Sequence, residues 1–174
     1  AGLALIISAG LLASMATAAG EEIGWRGLLA PELLKLTSFN RAALATGAIW
    51  AAWHMPIIIF ANYHGKGTPL PWSVACFTAM VMALSFIMAW LTVRSGSLWP
   101  AVILHAAHNL FVQSGFDTAT IEGDGTAYWT GEFGAGLVIT VGLAAIILIK
   151  RWPVADTKRA DPGPAKSVGE SRIA

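Results

Sequence analysis

An all-α, polytopic transmembrane bundle of about five apolar helices is the fold class the sequence predicts, and three observations predict it. Hydrophobic residues make up 56% of the 174 and charged residues only 12%, about half of the roughly 25% found in soluble domains. A chain this small has a large surface for its volume and needs more polar cover, not less. With a mean hydropathy of +0.63, lipid is the solvent that suits such a surface. Third, five apolar runs recur along the chain, at 3–20, 42–60, 74–93, 98–113 and 133–150. At 1.5 Å per residue the longer ones reach about 27–30 Å, enough for a hydrocarbon core.

Taken in order, run 3–20 reads as a membrane helix. Ala16-Thr17-Ala18 also resembles a signal-peptide cleavage site, but no basic segment precedes it and a glutamate pair follows at once. Run 42–60 contains Pro56, which can kink the helix just after His54. Run 74–93 holds Cys76, the single cysteine, which excludes an intrachain disulfide and reads as a small core residue. Run 98–113 is nominally short and either extends through Phe116 or sits deep in the bundle. Run 133–150 completes a membrane-embedded domain over 1–152. The tail 153–174, rich in Pro, Lys, Arg and Gly, reads as disordered.

Charge sets the expected orientation. Arg26, Lys35 and Arg41 lie in the 21–41 connection, Arg94 in the next turn of that side, and Lys150, Arg151, Lys158 and Arg159 after the last run. The 114–132 connection has Asp117, Glu122, Asp124 and Glu132 without a Lys or Arg. Counting Lys and Arg near helix ends puts the first group and the C-terminus in the cytoplasm, with 61–73 and 114–132 outside. A net charge of +1 with no basic stripe offers nothing to nucleic acid.

A few polar side chains interrupt this apolar background. Glu22 and Arg26 are four apart, so on a helix they share a face and can pair, whereas Glu21 points about 100° away and is left free to take a proton. The plainer reading is that both glutamates mark where a helix leaves lipid, and Gly24 and Gly27 weaken strict helicity there. His54 lies in Trp50-Ala51-Ala52-Trp53-His54, with Trp50 on its face. A buried histidine often makes one core hydrogen bond and nothing more, but an ionisable group in a membrane helix is costly and marks a candidate site. His105, His108 and Asn109 fall within five residues, with His105 and Asn109 sharing a face. Cross-helix bonding alone would repay only about 0.6–2 kcal/mol of their cost.

A carboxylate beside a histidine can hold and deprotonate water. A second histidine and an amide are donors suited to the oxyanion of a tetrahedral intermediate. The same residues, Glu21, His54 and His105, are also candidate zinc ligands, since a catalytic zinc needs three. Spacing leaves both chemistries open, although the His-Glu-x-x-His helix is absent.

Three motifs in order make the sequence resemble the CAAX-protease and bacteriocin-processing (Abi) family of intramembrane endopeptidases, relatives of the prenyl-protein endopeptidases. Glu21-Glu22-Ile23-Gly24-Trp25-Arg26 is similar to its Glu-Glu-x-x-x-Arg motif. Trp50-Ala51-Ala52-Trp53-His54 is similar to Phe-x-x-x-His with Trp for Phe, and His105-Ala106-Ala107-His108-Asn109 to His-x-x-x-Asn. Arg94-Ser95-Gly96-Ser97-Leu98-Trp99-Pro100 resembles the usual lead-in to the third. The resemblance implies that Glu21 activates water with His54, that His105 and Asn109 stabilise the oxyanion, and that Glu22, Arg26 and Trp50 support them. It implies a metal-free reaction in preference to a zinc one, and a membrane-associated peptide or protein as substrate. The expected setting is a bacterial cell membrane, where prenylated substrates are generally lacking. Two other functions compete: a non-enzymatic bacteriocin-immunity or membrane-binding protein, and a proton-coupled transporter, which the absence of a visible inverted repeat disfavours.

Residue counting raises one difficulty. If helix 42–60 starts at the cytoplasmic face, His54 lies about 18 Å in, while Glu21 lies near that face. A water-filled cytoplasmic cavity is expected to reconcile them.

Overall fold

The computed structural model describes residues 2–121 and 123–154, and its regular elements are all helical. They are α1 (Gly2–Glu22), α2 (Ala30–Leu36), α3 (Phe39–Phe60), α4 (Leu70–Ser95), α5 (Trp99–Ala107), the short turn α6 (Asp117–Ala119) and α7 (Ala135–Arg151). Two π-helical segments interrupt the series, Ile23–Leu29 after α1 and His108–Phe116 after α5. Most of the tail expected over 153–174 lies outside the described residues.

The expectation of five apolar spans is corrected. Among the described residues, two helices, Phe39–Phe60 and Leu70–Ser95, are long and apolar enough to cross a membrane. Hydropathy along a sequence counts apolar residues but not where a helix changes kind. Run 98–113 divides into nine α-helical residues and a π-helical segment that begins at His108, and run 133–150 becomes a helix of 17 residues starting at Ala135. Two such helices are consistent with a membrane protein.

Small residues set how closely these helices pack. Gly47 of α3 faces Ser85 of α4, and a Cβ at position 47 would lie 2.9 Å from the Ser85 Cβ. Ser85 Oγ in turn donates to the Ala43 carbonyl at 3.0 Å, a polar tie between helices of the kind small residues permit. Trp50 and Ile58 of α3, Phe77, Met80, Val81, Leu84 and Met88 of α4 and Ala101 of α5 form the main core. Ala18 packs with Val102 and Ala106, joining α1 to α5. α4 ends at Gly96, whose φ of 64° is the left-handed cap that glycine adopts without a Cβ penalty. Pro100 then opens α5, where its missing N–H costs nothing.

Candidate functional site

Both polar motifs lie at junctions between α- and π-helix. Glu21 and Glu22 close α1, and His105 lies in α5 just before His108 and Asn109 open the second π-helical segment. Such wide turns inside helices occur often at functional sites. Side chains from all three motifs meet at Trp50 of α3.

Glu22 is fully buried and Arg26 is 1% exposed. Arg26 Nη1 donates to Glu22 Oε1 at 2.9 Å, so the i,i+4 pair forms although the intervening residues are π-helical. The same oxygen accepts from His105 Nδ1 at 2.9 Å. Because a carboxylate only accepts, Nδ1 carries the proton, which leaves Nε2 as the other polar atom of His105. Glu22 Oε2 and Arg26 Nε and Nη2 are buried without hydrogen-bond partners. Arg26 has one further contact: its Cζ stands 4.4 Å above the Trp50 ring, a cation–π arrangement. Burial pulls the guanidinium pKa down, and the charges of Glu22 and Glu21 push against that.

Glu21 is placed differently from its neighbour. It is half-buried, and its Oε2 accepts the Trp50 indole N–H at 2.9 Å, with the Trp25 indole at 3.5 Å. His54 Nδ1 bonds the Trp50 carbonyl at 3.0 Å. A carbonyl only accepts, so this nitrogen too is the protonated one and Nε2 has a free lone pair. Trp50 is therefore the hub: its ring centroid lies 6.0 Å from that of His54 and 5.3 Å from that of His105, while its N–H holds Glu21.

Glu21, His54, His105 and Asn109 all line one cavity of about 270 Å³. Trp50 and the apolar side chains of Ile57, Phe77, Met80, Val81 and Leu84 complete one part of its wall. The 18 Å offset counted from the sequence is absorbed by where α1 ends: Glu21 reaches α3 at Trp50, one turn before His54. The sequence reading puts the cavity on the cytoplasmic side. The structure places Tyr63 and Glu132 in its wall, from the two connections that the same reading puts outside.

Sequence reasoning missed a second polar cluster in this cavity and had His108 only as a neighbour of the motif. Glu132, 2% exposed, accepts from the Tyr63 hydroxyl and from Gln113 Nε2 at 2.9 Å, with His108 Nε2 at 3.8 Å. Burial alone would raise the Glu132 pKa, but His108, Tyr63 and Gln113 together hold it below the ordinary carboxylate value. Burial and the adjacent Glu132 charge drive the Tyr63 phenol well above its usual value. One signal could have pointed to Glu132. Like Glu21 and Glu22 it abuts an apolar run, yet its acidic connection reads as a topological marker only.

The geometry gives the zinc alternative no support. Among the described residues, no three His, Cys, Asp or Glu side chains are grouped to hold a metal ion. Glu21 Oε2 and His105 Nδ1 are engaged by an indole and a carboxylate.

Comparison with known proteins points to the same kind of family. A CAAX prenyl protease 2 from Methanococcus maripaludis is 28% identical over 93 residues. That alignment covers 52% of this chain and 34% of the relative, so the chain matches about a third of that protein's length. No solved structure matches. The family described as type II CAAX prenyl endopeptidase Rce1-like matches residues 3–111, a stretch that holds all three motifs and most of the helical core. With well over half of its length matched, the chain belongs to that family.

Proposed function

We propose that this protein is an intramembrane endopeptidase that hydrolyses a peptide bond of a membrane-associated protein or peptide. The observation that carries the reading is the shared cavity: Glu21, His54, His105 and Asn109, drawn from three separate helices, line it together. Membership of a protease family supports enzymatic activity in general, and the two apolar helices support a membrane setting. We place it in a bacterial cell membrane with the C-terminus in the cytoplasm, on the Lys and Arg distribution.

In this reading Glu21 takes a proton from water as the water oxygen attacks the scissile carbonyl carbon. His54 orients that water through Nε2, its ring fixed by the bond from Nδ1–H to the Trp50 carbonyl. The carbonyl oxygen becomes an oxyanion facing the Asn109 amide and His105. With Nδ1–H committed to Glu22, His105 donates from Nε2 as an imidazolium, whose charge Glu22 balances. The carbon–nitrogen bond then breaks, and the proton held by Glu21 passes to the leaving amine. Arg26 holds the Glu22 carboxylate in place for its part in this arrangement.

The test is a peptidomic comparison of host membranes holding the wild type, Glu21→Gln or His105→Ala at matched expression. Products present only with the wild type are expected, and they would also define the substrate. Identical profiles in all three, in an assay shown to detect a control protease, would discard the peptidase reading.

A further inference from the structure

Three histidines line the cavity, and they are not held alike. His54 spends its Nδ1 proton on the Trp50 carbonyl. His105 spends its own on Glu22, in the inner cluster with Arg26. His108 is different: among the described residues neither of its ring nitrogens has a partner at ordinary hydrogen-bond length, and Nε2 stands 3.8 Å from Glu132 Oε2. The reaction described above leaves this largely buried, titratable side chain unused in the wall of the reaction cavity. A histidine kept for packing alone would be expected to satisfy a nitrogen on the protein around it.

Glu132 supplies the charge at this position. Tyr63 and Gln113 close on it as a clasp of two neutral donors, and it stays ionised, with a pKa below the ordinary carboxylate value. Buried charges are normally paired, and the basic group in reach of this one is His108. The arrangement repeats that of His105 and Glu22 three residues earlier: an imidazole in the cavity wall with a buried glutamate against it.

What such a group does follows from its place. His108 directly precedes Asn109, and both line the cavity. In the proposed reaction Asn109 faces the oxyanion. The scissile nitrogen is bonded to the same carbon as that oxygen, so a group beside Asn109 is placed to serve the nitrogen. Glu21, at the end of α1, has one oxygen, Oε2, held by the Trp50 indole. We infer that His108 is a further catalytic residue, the general acid that gives the leaving amine its proton, with Glu132 as its positioning residue. The inference rests on the peptidase reading and fills in one step of it. As the carbon–nitrogen bond breaks, its electron pair stays on nitrogen and takes a proton from the His108 imidazolium, whose charge Glu132 had balanced. His108 is left neutral, and the proton that Glu21 took from water returns it to the charged form. Over a full cycle the proton from Glu21 still ends on the amine, by way of His108.

Leaving groups provide the test, because a general acid matters only where the departing atom needs a proton. The full-length protein in proteoliposomes is given a set of quenched fluorescent peptides of apolar sequence. Each peptide that is cleaved is remade as a 4-nitrophenyl ester at the same carbonyl, whose leaving group departs as an anion. His108→Gln is expected to lower kcat on the peptides about 10²–10⁴-fold and to lower it far less on the esters. Glu132→Gln should show the same bias more weakly, whereas Glu21→Gln, which removes the group that activates water, should lose on both. A loss at His108→Gln shared equally by peptides and esters, or no loss on peptides, overturns His108 as the acid. Since a misfolded variant would also lose both substrates, His108→Ala is assayed with added imidazole: restored peptide cleavage supports the assignment, and no restoration overturns it. The parent reading fails separately. If the wild type and Glu21→Gln treat every peptide alike, the peptidase falls and this inference with it. Peptide cleavage that needs Glu21 but shows no leaving-group bias at His108 sinks this inference alone.

Discussion

Glu22 and Glu132 are both carboxylates buried almost completely, one behind the cavity wall at His105 and the other in the wall itself, yet they are held by different means. Glu22 meets a full positive charge from Arg26 and a histidine that can carry another. Glu132 has only neutral donors, a phenol and an amide, at hydrogen-bond distance, and its histidine, His108, stands at 3.8 Å. A buried ion pair collapses when one partner is lost, because the survivor is an uncompensated charge. A carboxylate among neutral donors loses its bonds one at a time. The inner cluster should therefore be brittle and the clasp graded.

The sharpest way to break that contrast is Arg26→Met, which strands Glu22 in the core. We expect a loss of about 3–5 kcal/mol, read from denaturant or thermal unfolding in detergent; a loss below that of the clasp variants would remove the distinction. Glu132→Gln comes next, at about 1–3 kcal/mol. The glutamine keeps one acceptor oxygen but turns an amide N–H toward whichever of Tyr63 and Gln113 that oxygen does not face. Its pH dependence has a definite sign. The folded-state pKa of Glu132 is lowered, so its contribution is present above the unfolded carboxylate value of about 4.3 and disappears as pH falls through the lower folded value. The gap between the wild type and Glu132→Gln should stay level from neutrality down to that range and close only in stronger acid. A gap that closes near neutrality would contradict the depressed pKa. Tyr63→Phe removes one neutral donor and should cost about 0.5–1.5 kcal/mol in the same unfolding measurement. Lys35→Ala supplies the baseline. Its partner Glu32 and Lys35 itself are largely exposed, so a change of at most about 1 kcal/mol is expected, and a larger one would mean that surface pairs matter here too.

The two carboxylates also differ in how visible they are before folding. Glu22 and Arg26 are four residues apart, and local spacing suffices to pair them. The companion candidates His54, His105 and Asn109 stand out because each interrupts an apolar run, and Glu21 because it follows one beside Glu22. Glu132 likewise abuts an apolar run, but nothing near it in sequence suggests a partner. Its bond to Tyr63 spans 69 residues of sequence, and only the path of two irregular connections brings them together. Apolar runs outnumber the spanning helices among the described residues for a related reason. Apolar composition persists from Trp99 through Val112, but the backbone changes from α to π at His108, and helical phase and length cannot be carried across that point. Spacing shows Trp50 as an aromatic neighbour of His54, four residues away, but not its hold on Glu21, 29 residues earlier.

The two π-helical segments have a consequence for how this chain can change length. A π turn closes its hydrogen bond to the fifth residue instead of the fourth, so it carries one residue more than the α-helix would need. Deleting a single residue from Ile23–Leu29 or His108–Phe116 would let the backbone relax into ordinary α-helix with no bond lost. The helix beyond would keep its phase, because the extra residue of a π turn lengthens the chain while adding almost no rotation. Only side chains within the turn itself would be re-aimed, while each helix continued unbroken. Gaining or losing a residue at these two places would thus retouch the cavity while sparing the bundle, which makes them the points where relatives of differing chemistry could diverge with the least structural disturbance.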